Sequence, residues 1–150
     1  MKSINNIIEI KVELLDRSIP KPKYAHEGDA GLDLYSSIDC KLKPFERKKI
    51  PTGIKISIPQ GCAGFIQPRS GLAIKNGISV ANTPGLIDSG YRGEVCAILI
   101  NLDPKNTFEI KKGDKICQLV IHKVEEVNLE IVEDLGKTIR GEGGFGSTGK

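Results

Sequence analysis

The sequence predicts an all-β domain, a jelly-roll-like barrel or sandwich with one short helix and a flexible glycine-rich C-terminal tail. Three observations carry this reading. Apolar and polar residues alternate over several short runs, turn-forming residues separate those runs, and no long stretch repeats its apolar residues with the period of a helix. With 150 residues the chain fits one domain and is long enough to bury about two thirds of its unfolded surface. We place that domain at residues 1–135 and the tail at 136–150.

Ile8, Ile10, Val12 and Leu14 alternate with Glu9, Lys11 and Glu13, the period of a half-buried strand, and Pro20 and Pro22 end it. Gly28 and Gly31 then precede a short strand in which Asp33 stands between Leu32 and Leu34. That carboxylate is either solvated on an edge strand or functional. Ile54, Ile56 and Ile58 alternate again, and Pro59-Gln60-Gly61 turns the chain back, so residues 62–67 read as the return strand of a hairpin. Residues 68–77 leave the β pattern: Ser70 can cap a helix, residues 72–75 favour one, and Gly77 can end it after about two turns. Residues 95–102 form a continuous apolar run suited to a strand buried on both faces, closed by Asp103-Pro104. Residues 116–124 and 127–132 complete the strand set.

Composition excludes several classes of function. A net charge of +3, from 22 basic and 19 acidic residues, gives no nucleic-acid surface by itself. No apolar run approaches a membrane span, and residues 1–6 lack a signal peptide's apolar core, so the expected location is the cytoplasm. Cys40, Cys62, Cys96 and Cys117 stand far apart and the only histidines are His26 and His122, which supports neither a zinc site nor histidine-dependent nucleophilic catalysis. Cys96 and Cys117 lie in apolar runs and read as reduced core thiols.

Residues 82–94 hold Asp88, Tyr91, Arg92 and three glycines between strand-like flanks. Pro84-Gly85 and Ser89-Gly90 bend the chain on either side of Leu86-Ile87-Asp88, which makes a hairpin with Asp88 near one end. Glycines there let a ligand approach the main chain, whose N–H and C=O groups then read it. The last fifteen residues hold six glycines and one aromatic, Phe145. Ordering ten such residues costs on the order of 10 kcal/mol. Charged hydrogen bonds contribute about 1.5–3 kcal/mol each and a base stacked on an aromatic ring about 1–3, so a nucleotide with several phosphates suffices to order the tail while a base or a monophosphate falls short. Residues 144–150 match the start of a P-loop pattern, yet the chain stops at Lys150 without the Ser or Thr and the helix that the motif needs.

Five stretches combine glycine with charge, and in order they read AGLDLYS, PRSGLA, GLIDSGYRGE, GDKICQLVI and RGEGGFGSTG. In this order and spacing they resemble the five motifs of the homotrimeric deoxyuridine triphosphate nucleotidohydrolase (dUTPase) family, from about Ala25 to the end. The resemblance implies that Asp88 orients and deprotonates an attacking water, and that Tyr91 packs on the deoxyribose and excludes a 2′-hydroxyl. Backbone around Asn82, Leu86 and Ile87 would read the uracil edge. Arg69, Ser70 and Gly71 would hold the phosphates with Gln118, while Arg140, Phe145, Gly146, Ser147 and Thr148 close over the nucleotide. Asp33 would touch Mg2+ through a water molecule, and each site would be shared among three subunits. Cys117 stands where the family commonly has alanine, a matter of packing.

The implied reaction is hydrolysis of dUTP at the α-phosphorus to dUMP and diphosphate, which needs an in-line water, a base and positive charge on the leaving phosphates. Two other readings are a related dCTP deaminase, which would release ammonia, and a dUTP-sensing binding protein without turnover.

Overall fold

The computed structural model describes residues 7–145. The chain forms β1 (Lys11–Leu14), β2 (Leu32–Tyr35), β3 (Cys40–Leu42), β4 (Arg47–Ser57), β5 (Cys62–Gln67), α1 (Ser70–Asn76), β6 (Ile78–Val80), β7 (Gly85–Ile87), β8 (Glu94–Asn101), β9 (Phe108–Ile110) and β10 (Lys115–Lys123). One sheet runs β1-β4-β8-β6, a second β2-β10-β5-β7, and β3 pairs with β9. Every pairing among these strands is antiparallel. The expected all-β jelly roll with one short helix is what forms.

The core lies between the two larger sheets, where Ile50, Ile54, Ile56 and Leu99 of one meet Leu34, Ile66, Cys117 and Leu119 of the other. Alternation fixes which residues enter it: along β8, Val95, Ala97, Leu99 and Asn101 are buried and the residues between them are half-buried. Asn101 is fully enclosed, yet its amide donates to the carbonyls of Leu42 and Asn106 while its side-chain oxygen accepts from Asp103 N. All its polar atoms are therefore matched, as burial requires.

The structure corrects several local expectations. Residues 62–67 form a strand but no hairpin with β4, because both edges of β4 are already taken by β1 and β8 and the turn at Pro59–Gly61 hands the chain to the opposite sheet. For the same reason residues 82–94 are not a simple hairpin. β6 and β8 lie in one sheet while β7 pairs with β5 in the other. β8 is buried on one face only, which leaves Cys96 half-buried on the other. The ladder of β1 starts at Lys11, since it pairs only with residues 54–57. Ser70 is the first helical residue instead of the cap, a position held by Arg69 without a side-chain cap bond, whereas Gly77 ends α1 in the left-handed conformation with φ 66° as expected.

The largest departure is at residues 127–132, which form no strand. Their alternation is real, but no described strand lies beside them, and a strand without a partner leaves its backbone groups to water. Val127, Leu129 and Ile131 are 72%, 84% and 94% exposed. Among the described residues no helix is long and apolar enough to cross a membrane.

Candidate active site

Residues on neighbouring strands that sit directly opposite each other share a face. Asp33 on β2 lies opposite Gln118 on β10, which lies opposite Gln67 on β5, so these three form a row on the outer face of the second sheet. The next pairs, Leu32 with Leu119 and Leu119 with Ile66, turn toward the core. A bulge then shifts the register between Lys115 and Cys117. Its extra residue buries both Ile116 and Cys117, and brings Lys115 onto the face that carries Gln118.

Arg69, just beyond β5, completes the cluster. Its Nε lies 3.5 Å from Asp33 Oδ1, and Lys115 Nζ lies 2.7 Å from Asp33 Oδ2. Asp33 is buried, so the solvated edge residue is excluded although β2 is an edge strand. Gln118 Nε2 donates to Pro68 O at 2.9 Å, and Arg69 donates to Lys115 O at 3.4 Å. A Cβ at Gly31 would collide with the side-chain oxygen of Gln118, so this position needs glycine for the amide to lie where it does. Around the cluster is an open cavity of about 420 Å³ lined by Gly31, Asp33, Arg69, Ser70, Gly71 and Gln118. Arg69 is the cation in this lining; its guanidinium and the Gln118 amide offer donors to an anion beside the carboxylates of Asp29 and Asp33.

Asp33 Oδ2 is buried against the Lys115 ammonium at 2.7 Å, and its other oxygen faces Arg69 at 3.5 Å. With a cation on either side of it, and no cluster of three ligating side chains among the described residues, the carboxylate fits a divalent metal only at one remove, through a metal-bound water.

Asp88 lies in a second cavity of about 460 Å³, lined also by Leu86, Ile87, Tyr91, Lys49 and Cys96. The turn that carries Asp88 is fixed by main-chain acceptors. Tyr91 N donates to Asp88 O at 3.1 Å, and Arg92 donates to the carbonyls of Ser89 and Tyr91 at 2.7 and 2.8 Å. The Tyr91 hydroxyl donates to Glu94 O at 3.0 Å, with its ring lying over Gly93, where a Cβ would strike it. Glu94 in turn accepts from Gly53 N at 2.9 Å. Asn82 lies against Gly85 at the start of β7, and the Asp88 side chain is exposed.

The candidate residues thus fall into two groups: Asp33, Arg69, Ser70, Gly71 and Gln118 line one cavity, and Leu86, Ile87, Asp88 and Tyr91 line the other. The two linings have no residue in common. Arg140 and Phe145 join neither; Arg140 donates to Gly143 O at 2.8 Å and Phe145 is fully exposed. Gly146, Ser147 and Thr148 lie outside the described residues. The sequence reading missed Gln67, Lys49, Cys96 and Lys115. Of these, Lys115 sits inside the stretch GDKICQLVI, where its charge was visible and its facing was not. Cys117 is enclosed beneath the cluster, and burial pushes its thiol up to about 12, so it stays protonated and inert. All four cysteines are free.

Fold and site together define an all-β jelly-roll protein with an open polar cavity beside Arg69 and a separate carboxylate-bearing loop. The dUTPase family model matches residues 17–149. The chain is 50% identical over 147 residues to the deoxyuridine 5'-triphosphate nucleotidohydrolase of Corynebacterium glutamicum, covering 98% of this chain and 99% of that one. It is 52% identical over 142 residues to the same enzyme of Clostridium kluyveri, covering 95% and 99%. Among solved structures it resembles a mutant Staphylococcus bacteriophage 80alpha dUTPase with dUpNHpp, at a TM-score of 0.87 and 29% identity over 95% of this chain and 99% of that one. It also resembles a phage phi11 dUTPase mutant in which coordination of a structural Mg(II) ion is described, at a TM-score of 0.78 and 28% identity over 85% and 99%. The chain belongs to the dUTPase family and is classed with the dUTP diphosphatases.

Proposed function

We propose that the protein hydrolyses dUTP to dUMP and diphosphate in the cytoplasm, supplying dUMP for thymidylate synthesis and keeping uracil out of DNA. The observation that carries this reading is an open cavity in which Arg69, held by Asp33, stands beside Ser70, Gly71 and Gln118, on a chain that belongs to the dUTPase family. Arg69, Ser70, Gly71 and Gln118 hold the phosphates. Backbone around Asn82, Leu86 and Ile87 reads the uracil edge, and Tyr91 packs against the deoxyribose.

Asp88 takes a proton from the attacking water as its oxygen bonds to the α-phosphorus. The bond from that phosphorus to the bridging oxygen breaks, and its electron pair leaves with diphosphate. The family brings with it a divalent cation; Mg2+, when bound, would lessen the charge of the phosphates, with Asp33 accepting from one of its waters. Arg140, Phe145, Gly146, Ser147 and Thr148, in the tail from residue 136 onward, close over the nucleotide.

We also propose that the active unit is a homotrimer with shared sites. Two features support this. The residues that hold phosphate and the acid that activates water line cavities without common residues, and Val127, Leu129, Ile131, Leu135 and Ile139 stand exposed along a segment that no described residue of the chain covers. A second copy would cover them.

The test is diphosphate release measured side by side with dUTP, dTTP, dCTP and UTP in Mg2+ buffer. Turnover of dUTP well above the other three is the expected result. Ammonia released from dCTP would instead mark a deaminase, and dUTP binding without turnover would mark a sensor.

A further inference from the structure

We infer that Lys115 is a positioning residue for the phosphate cavity: through Asp33 it fixes the Arg69 guanidinium that grips the substrate's phosphate chain. The inference rests on the dUTPase reading and adds a residue to its machinery. Lys115 and Gln118 are three apart, so in a regular strand they would point to opposite faces. The bulge between Lys115 and Cys117 cancels that and sets both on the face of Asp33. Bulges of this kind re-aim a side chain, and here the re-aimed side chain is the one whose ammonium lies 2.7 Å from a buried carboxylate oxygen.

The carboxylate's other oxygen faces Arg69 Nε at 3.5 Å. The side chain of Asp33 is 10% exposed, while those of Lys115 and Arg69 are 36% and 34% exposed. A buried carboxylate between two half-exposed cations acts as their common anchor. Arg69 alone would have a flexible side chain with many rotamers; anchored by Asp33, and donating to the carbonyl of Lys115 itself, it is held at the rim of the cavity. Lys115 lies outside the cavity lining and acts through its contact with Asp33; with it present the three groups carry one net positive charge. Without it, Asp33 and Arg69 neutralise each other and the guanidinium is drawn inward, away from the phosphates.

The experiment uses the full chain, with dUpNHpp as a non-hydrolysable triphosphate and deoxyuridine as a ligand lacking phosphate. Lys115→Met is expected to weaken dUpNHpp at least about tenfold, the worth of one charge-assisted contact, with competitive inhibition by deoxyuridine unchanged. Lys115→Arg, which restores the cation, is expected to recover most of the affinity. Because Lys115 acts through Asp33, adding Lys115→Met to Asp33→Asn is expected to cause little further loss. Thermal melting reports whether each variant folds, and Lys115→Gln replaces Lys115→Met if the latter does not. Unchanged dUpNHpp affinity, an equal loss for deoxyuridine, or losses that multiply in the double variant would each overturn the inference. Failure of the wild type to turn over dUTP would be a different result. It would sink the proposed reaction while leaving the Lys115, Asp33 and Arg69 coupling measurable with inorganic diphosphate as the probe.

Discussion

The cavity on the outer face of β2, β10 and β5 is built around Asp33 and Gln118 fixed on strands, with Arg69 held against them, whereas the one beside β7 and β8 is built around a loop held by its own carbonyls. In the first, Asp33 is buried and both its oxygens face cations. In the second, Asp88 is exposed, and its carboxylate accepts no hydrogen bond from a described residue. The difference matches two tasks. Holding a polyanion needs fixed positive charge, which here is Arg69 held against the strand-borne Asp33. Taking a proton from water needs a carboxylate with free lone pairs, which a rigid but open loop leaves available.

If the division is correct, disabling the second cavity should leave binding intact. Asp88→Asn is expected to bind dUpNHpp near normally and to release diphosphate at least about a hundredfold more slowly, the scale of a lost general base. Arg69→Gln should do the opposite and weaken binding first. Co-refolding the two inactive variants sharpens the contrast further. Sites assembled from different subunits would regain turnover above the sum of the separate proteins, and a mixture no more active than its parts would place both cavities' residues in one subunit's site. Deleting residues 140–150 comes next in size. The fold is expected to stay intact by circular dichroism while kcat/KM for dUTP falls about ten- to a hundredfold, the range of one charged hydrogen bond. Full activity in the truncated chain would show that neither cavity needs the tail.

Much of the second cavity was legible because its signals are local. Asp88, Tyr91 and the glycines around them lie within a dozen residues, and turn chemistry places them together. The first was legible only through its motifs. Asp33, Arg69 and Gln118 are brought together by register between strands far apart in sequence, and alternation around Lys115 points the wrong way because a bulge cannot be read from a pattern of apolar residues. The missing hairpin at Pro59–Gly61 has a related cause: a turn signal shows where the chain reverses, while the occupied edges of β4 decide which sheet it joins. At residues 127–132 the alternation is that of a strand, yet no strand forms, because the described chain offers it no partner.

Two glycines test the same contrast at smaller scale. In Gly31→Ala the new methyl displaces the Gln118 amide, the mobile end of a side chain, and costs the bond to Pro68 O. KM for dUTP is expected to rise several-fold with kcat nearly kept, since one neutral hydrogen bond contributes about 0.5–1.5 kcal/mol. In Gly93→Ala the methyl meets the Tyr91 ring as well as its hydroxyl and displaces the residue beside Asp88. There kcat should fall along with affinity. Equal kinetic signatures from the two variants would erase the distinction between a binding cavity and a reacting one.

The smallest expected effect is a control that touches neither cavity. Lys112 Nζ lies 2.6 Å from Asp16 Oδ2, and this contact, with bonds from Ser18, lowers the Asp16 carboxyl from 3.8 to about 2. A carboxyl whose folded value is depressed adds stability that is complete above the unfolded value and vanishes as pH falls through the folded one. Wild type should therefore melt slightly above Asp16→Asn at neutral pH, with the gap narrowing below pH 3.8 and closing near 2. Both proteins should turn over dUTP alike at neutral pH, because an exposed pair on the scaffold steadies the frame without reaching either cavity. A change in kcat/KM in Asp16→Asn would mean that the loop holding Lys112, which leads directly into Lys115, transmits to the phosphate cavity, and the two regions would then be less independent than their geometry makes them.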